Sequence, residues 1–106
     1  MADDAGQRIL VSGTIRLAPE KLEEARPAMT AMIEASRAED GCLAYHYAVD
    51  LLDPGLIHVT EVWSDDAALR RHFASQHIES WRAQWPRLGI GERDLRIYPL
   101  SGSSAV

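Results

Sequence analysis

The residues best suited to chemistry lie in one short stretch, from Glu61 to His77. Glu61 supplies a carboxylate, and His72 supplies an imidazole whose ordinary pKa lies close to neutrality, as a general base requires. Between them, Trp63 offers a large flat ring against which an aromatic molecule can stack. A carboxylate, a base and a large ring suit a small-molecule site with proton-transfer chemistry, so we predict Glu61 and His72 as catalytic residues.

Each of these residues also has an ordinary structural explanation. A helix histidine that faces a core, as His72 does, can simply hydrogen-bond Glu61 or a backbone carbonyl, and Trp63 can be a core indole. A carboxylate on a covered face is costly unless it is paired, so Glu61 is either half of a structural pair or a tuned acid. The residue types alone leave both explanations open.

Four segments have the two-residue alternation of strands. From Ile9 to Leu17 the apolar residues occupy every second position, with Gly13 in one of these places. A turn at Asp53-Pro54-Gly55 separates two further runs, which should form a hairpin. The other predicted strands are Leu43–Val49, Leu56–Trp63 and Asp94–Leu100.

Two segments have the three- and four-residue spacing of helices. The first runs from Pro19 to about Glu39, and Pro27 inside it predicts a kink or a late start. The second follows a cap at Ser64 or Asp65. Its stripe consists of Leu69, His72, Phe73, Gln76, Ser80 or Trp81, and Trp85. His77 lies five positions after His72, about 140° around a continuous helix, so the two should not share a metal ion.

The order β-α-β-β-α-β predicts an α+β fold of the ferredoxin-like type, a four-stranded antiparallel sheet with both helices on one face. The other face then shows Ser12, His46, His58 and Thr60, a mixed surface that suits packing against a second sheet. A small domain also gains buried area by self-association. We therefore expect a homodimer.

Three motifs resemble the antibiotic-biosynthesis-monooxygenase family. In the first, a strand ending Glu-x-Trp at 61–63 leads into Ala-Leu-x-x-His at 68–72 and Ser-x-His at 75–77. The others are the helix-to-strand junction Asp-Gly-Cys-Leu-Ala-Tyr at 40–45 and the strand exit Leu-Ala-Pro-Glu-Lys at 17–21. The resemblance covers Ile9 to Leu100. In this family, the Ser-x-His motif suggests that His77 kinks the helix or holds a site residue in position without contacting the ligand itself.

The resemblance implies a dimeric α+β barrel with a cavity between sheet and helices in each subunit. It also implies a monooxygenase that needs no metal, flavin or other cofactor and that oxygenates a small aromatic quinol or polyketide-like substrate with dioxygen. A phenolate is electron-rich enough to reduce dioxygen itself, so the protein must supply a base, a polar anchor and a dry pocket. A dimeric small-molecule-binding or stress-response protein without turnover is the alternative, because it needs the same cavity.

Strand parity fills this cavity with particular residues. If Ile9 and Val11 face the helices, so do Tyr45, Tyr47, Glu61 and Trp63, and His72 points back at them. Besides the catalytic pair His72 and Glu61, the predicted substrate-binding residues are Trp63, Tyr45, Gly13, Phe73 and Leu69. Gly13 should leave room in the cavity because it has no side chain. Tyr45 also suits the core.

Composition limits the other possibilities. The 106 residues, 46% of them hydrophobic, suit one domain over 8–100 between flexible tails at 1–7 and 101–106. A net charge of −5 gives no footprint for nucleic acid or an anionic membrane. The single cysteine, Cys42, excludes an internal disulfide and suits a reducing compartment. With an acidic N-terminus and no long apolar run, we predict a cytoplasmic protein that binds no membrane.

Overall fold

A four-stranded antiparallel sheet forms one layer of the structure, a computed structural model that describes residues 7–106. Its strands are β1 (Ile9–Arg16), β2 (Cys42–Val49), β3 (Leu56–Trp63) and β4 (Glu92–Pro99). The spatial order is β2-β3-β1-β4, so the hairpin of β2 and β3 forms one side and β4 forms the other edge. A bulge between Cys42 and Ala44 turns Leu43 outward, although simple alternation predicts it on the covered face.

Helices cover one face of this sheet. They are α1 (Leu22–Arg37), α2 (Asp66–Phe73), α3 (Gln76–Ala83) and α4 (Trp85–Leu88). A 3-10 turn over Pro19–Lys21 precedes α1, which therefore starts late and contains Pro27. The carboxylate of Asp65 accepts the backbone N–H of Ala68 at 2.8 Å and caps α2. This arrangement confirms the predicted α+β, ferredoxin-like fold.

The second helix of the predicted pattern is broken, which corrects the expectation of one continuous stripe. Ser75 has an extended backbone (φ −76°, ψ 153°) and begins a new helix as its N-cap. Its hydroxyl donates to the carbonyl oxygen of His72 at 2.7 Å and accepts the N–H of Ile78 at 3.4 Å. Serine competes well for such caps, so the helix restarts here in a new direction.

The core lies between the sheet and the helices. Alternate strand residues such as Val11, Ile57, Val59 and Trp63 are buried there. On the opposite face, His46, His58 and Thr60 are exposed, and the predicted packing of two such sheets stays a prediction.

The ends of the chain lie outside this core. Residues 101–106 are exposed and have no regular secondary structure. The predicted tail at 1–7 falls outside the described residues except for Gln7. Within residues 7–106, no helix combines the length and hydropathy needed to cross a membrane.

Candidate active site

A cavity of about 180 Å³ lies between the sheet and the helices α2 to α4. Its floor is a row of side chains, one from each strand, that the register of the sheet brings side by side. Glu61 pairs with Val11 on one side and Tyr45 on the other, and Val11 pairs with Ile97. Because strand side chains alternate between faces, all of them face the helices.

The roof of the cavity comes from the segment around the helix break. It contains His72 and Phe73 from α2, Ile78, Trp81 and Arg82 from α3, and Trp85 from α4. Arg93 and Leu95 of β4 form one side. The restart at Ser75 brings α3 over the sheet, so the break gives the cavity much of its roof.

His72 is held in one orientation against the floor. It is 1% exposed, and its ring lies 4.6 Å from the ring of Trp63 and 5.2 Å from that of Tyr45. Nδ1 lies 2.6 Å from a carboxylate oxygen of Glu39, to which it donates. That hydrogen bond assigns the proton of a neutral ring to Nδ1 and leaves Nε2 as an acceptor, 3.9 Å from Glu61 Oε1.

Burial changes the proton affinities of both groups. It lowers the pKa of His72, although the Glu39 carboxylate opposes this change. It raises the pKa of Glu61 to about 7, against the hydrogen bond from Trp63 and the charge of Arg82. At neutral pH His72 is therefore an uncharged proton acceptor, and Glu61 is partly protonated. The site can take a proton from a ligand at one group and return a proton from the other.

Glu39 joins both histidines of α2 and α3, which corrects the helical-wheel argument that kept them apart. One carboxylate oxygen accepts from His72 Nδ1 at 2.6 Å and from His77 Nε2 at 2.8 Å. The ligand atoms of the three residues lie within 4.8 Å of one another, a spacing that could hold a metal ion. The 140° separation holds only for a continuous helix, and Ser75 interrupts it.

The structure brings together only part of the predicted set. Glu61, His72, Tyr45 and Phe73 line the cavity, whereas Trp63, Leu69 and Gly13 do not. The indole N–H of Trp63 donates to Glu61 Oε1 at 3.0 Å, so this buried ring lies behind the carboxylate. Leu69 is buried in the core. The tyrosine hydroxyl donates to the sulfur of Met32 at 3.2 Å, so Tyr45 presents its ring to the cavity.

Gly13 has a different role from the one expected. A Cβ at this position would overlap the backbone carbonyl oxygen of Asp94, and the φ angle of 153° is one that side-chain-bearing residues rarely adopt. Gly13 therefore permits the close approach of β4 to β1, and the expectation that it leaves room in the cavity was wrong.

Four residues that sequence reasoning left out of the site complete its wall: Trp81, Arg82, Trp85 and Arg93. The two tryptophans were expected on the helical stripe, but neither arginine carried any signal of this kind. The capping preference of Ser75 was the one available sign that α3 turns toward the sheet. Glu39 was missed because it lies 33 residues before its partner His72.

The fold and cavity define a class of small ferredoxin-like domains, and comparison with known proteins gives the family. The model of the family described as antibiotic biosynthesis monooxygenase matches residues 8–84. The chain therefore belongs to this family, which confirms the resemblance seen in its motifs.

Individual relatives agree with this assignment. Uncharacterized protein sll1783 of Synechocystis sp. is 32% identical over 100 residues, 94% of this chain and 66% of that protein, so the chain spans just under two thirds of its length. Putative monooxygenase YcnE of Bacillus subtilis is 28% identical over 80 residues, 76% of this chain and 84% of that protein.

A solved structure shows the same fold. The crystal structure of a putative antibiotic biosynthesis monooxygenase from Deinococcus radiodurans has a TM-score of 0.86 at 24% identity. The match covers 92% of this chain and 97% of that one.

Proposed function

We propose that the protein is a monooxygenase that oxygenates a small aromatic quinol or polyketide-like substrate in this cavity without a cofactor. The observation that carries the proposal is the buried pair of His72 and Glu61, whose proton affinities burial shifts toward each other beside aromatic walls. Paired titratable groups with shifted pKa values are typical of acid and base roles.

In the proposed reaction, His72 accepts the hydroxyl proton of the substrate at Nε2 while Glu39 holds the other proton on Nδ1. The phenolate that forms passes electrons to dioxygen. One oxygen atom becomes bonded to the ring in place of hydrogen, and the other leaves as water. All the electrons and both hydrogens of that water come from the quinol, which ends as a hydroxyquinone. Glu61 in its protonated form can supply a proton to the reduced oxygen.

The alternative is a small-molecule-binding protein without turnover. One observation favours it: His72 is almost fully buried and already hydrogen-bonded, as a purely structural histidine would be. Oxygen consumption by a panel of hydroquinones, with and without protein and with anaerobic controls, separates the two functions. Faster consumption with stoichiometric product supports the enzyme. Background oxidation that the protein leaves unchanged contradicts it.

Replacement of the proposed base tests the role of His72. We expect His72→Ala to lower turnover by roughly 10²- to 10⁴-fold, the usual contribution of a positioned proton acceptor, in protein that still folds. Arg70→Ala is the control, because Arg70 lies on the same helix, pairs with Asp66 at 2.6 Å and does not line the cavity. A lower melting temperature with an unchanged rate per folded molecule would show that His72 is structural.

Removal of metal tests the cofactor assignment. Although Glu39, His72 and His77 could hold an ion, Glu39 already accepts a hydrogen bond from each histidine. We therefore expect turnover to survive treatment with a chelator. Loss of activity that one added metal restores would overturn the proposal.

A further inference from the structure

Two arginines flank the mouth of the cavity. Arg82 of α3 has its guanidinium over the ring of Phe73, 5.9 Å from the centroid, and Arg93 of β4 lies 5.7 Å from the ring centroid of Trp85. Within residues 7–106, neither makes an ion pair. Several other arginines do pair with carboxylates, namely Arg16, Arg26, Arg70, Arg87 and Arg96.

These charges run against the balance of the whole chain. With a net charge of −5, the protein as a whole repels anions, yet two guanidinium groups that have no carboxylate partner among the described residues border one opening. The charge of Arg82 also reaches the interior, where it opposes the rise in the pKa of Glu61. The mouth is therefore a locally positive site on an acidic protein.

Two tryptophans, Trp81 and Trp85, contribute their rings to the same wall. The nitrogens of Trp81 and Trp85 are buried and make no hydrogen bond among the described residues. The Trp81 side chain lies close enough to Tyr47 to lower the pKa of its phenol, which burial raises. The contact between the two side chains does not meet the geometry of a hydrogen bond. Because these nitrogens are closed off from the cavity, the wall offers a bound molecule the aromatic rings of the two tryptophans and not their N–H groups.

We propose that the cavity binds an aromatic ring with an anionic substituent, such as an aryl carboxylate, whose charge lies between Arg82 and Arg93. The proposal rests on the proposed function only in the orientation of the ring, with its hydroxyl group toward His72 and Glu61. A cavity of about 180 Å³ suits a single ring, since one of roughly 150 Å³ accepts benzene. Arginine favours carboxylates because its donors match both oxygens.

Equilibrium binding of compounds that need not react tests this proposal separately from turnover. The probes are 4-hydroxybenzoate, its methyl ester and its amide, which share the ring and the hydroxyl but differ in charge. Calorimetric titration should show 4-hydroxybenzoate binding roughly 10-fold or more tightly than the neutral probes at low salt, with the difference shrinking as salt rises. Equal affinities, or no binding of the carboxylate, would overturn the proposal.

Variants assign the preference to particular residues. Arg82→Gln and Arg93→Gln should each reduce the ratio of carboxylate to ester affinity by roughly 3- to 10-fold, since both side chains are partly solvated. Arg70→Gln is the control, because Arg70 does not line the cavity and pairs with Asp66. A ratio that neither cavity variant changes would contradict the assignment. A preserved carboxylate preference without oxygen consumption would contradict only the proposed monooxygenase.

Discussion

Glu61 and His72 are close neighbours, and burial shifts their pKa values in opposite directions. The pKa of Glu61 rises to about 7, while that of His72 falls below its ordinary 6.5. Both shifts disfavour the ion pair in which His72 is protonated and Glu61 is ionised. This leaves the imidazole as an uncharged acceptor in a cavity that excludes much of the solvent.

The raised pKa of Glu61 also predicts how stability changes with pH. The native state holds this proton more tightly than the unfolded state, so the stabilisation is present below about pH 4.5 and is lost as pH rises through 7. The shift from 4.5 to about 7 corresponds to about 3 kcal/mol. Relative to a Glu61→Gln variant, the wild type should lose up to this amount as pH rises through that range.

Chemical denaturation of both proteins across this pH range measures the difference directly. Glutamine is the right comparison, because its amide oxygen can still accept the Trp63 N–H but cannot ionise. Titrating groups away from Glu61 are common to both proteins and cancel. A difference between the two unfolding free energies that does not vary with pH would show that Glu61 keeps an ordinary pKa.

At the level of the elements, the pairing of β1 with β4 depends on the absence of a Cβ atom at Gly13. Gly13→Ala would drive a Cβ into the carbonyl oxygen of Asp94 and impose an unfavourable φ. We expect a loss of about 3 kcal/mol, and a fall in melting temperature of roughly 10 °C or more. Gly91→Ala is the control, because a Cβ there meets no atom within 4 Å. Equal melting temperatures for the two variants would contradict this account.

The strands could be predicted from sequence because their alternation is local and strict. Parity alone placed Tyr45, Glu61 and Trp63 on one covered face, and the register confirms this placement. Parity could not distinguish a residue that lines the cavity from one that lies behind it, since both face the helices. Trp63 is of the second kind because its ring packs against His72 and its N–H is taken by Glu61.

The helices were harder to predict because the helical period assumes an unbroken axis. Once Ser75 ends that axis, every angle computed across it is wrong, including the one between His72 and His77. Arg82 and Arg93 carry no local signal at all. They line the same cavity only because the tertiary fold brings α3 and β4 to it.

At the level of the whole molecule, the open face of the sheet predicts a homodimer. His46, His58 and Thr60 are exposed there, and Leu51 and Leu52 of the hairpin turn are 95% and 90% exposed. Light scattering at micromolar concentration should give twice the chain mass of 11.8 kDa. A second sheet packed on this face would hide these groups from water.

A charged variant on the same face tests which surface is involved. Thr60→Glu places a charge at the centre of the open face and should shift the mass toward that of one chain. Thr30→Glu adds the same charge to the exposed side of α1 and should leave the mass unchanged. A wild-type protein that scatters as a monomer would contradict the prediction, and a shift caused equally by both variants would contradict the choice of face.

The structure of the cavity mouth affects how fast ligands can enter and leave. Within residues 7–106, all the side chains that line the cavity, Arg82 and Arg93 included, belong to a helix or a strand and none to a loop. Rotation of exposed side chains takes picoseconds to nanoseconds, whereas lids open in microseconds to milliseconds. Ligands should therefore enter and leave without waiting for a backbone movement, and their residence time should depend only on the contacts that they make inside.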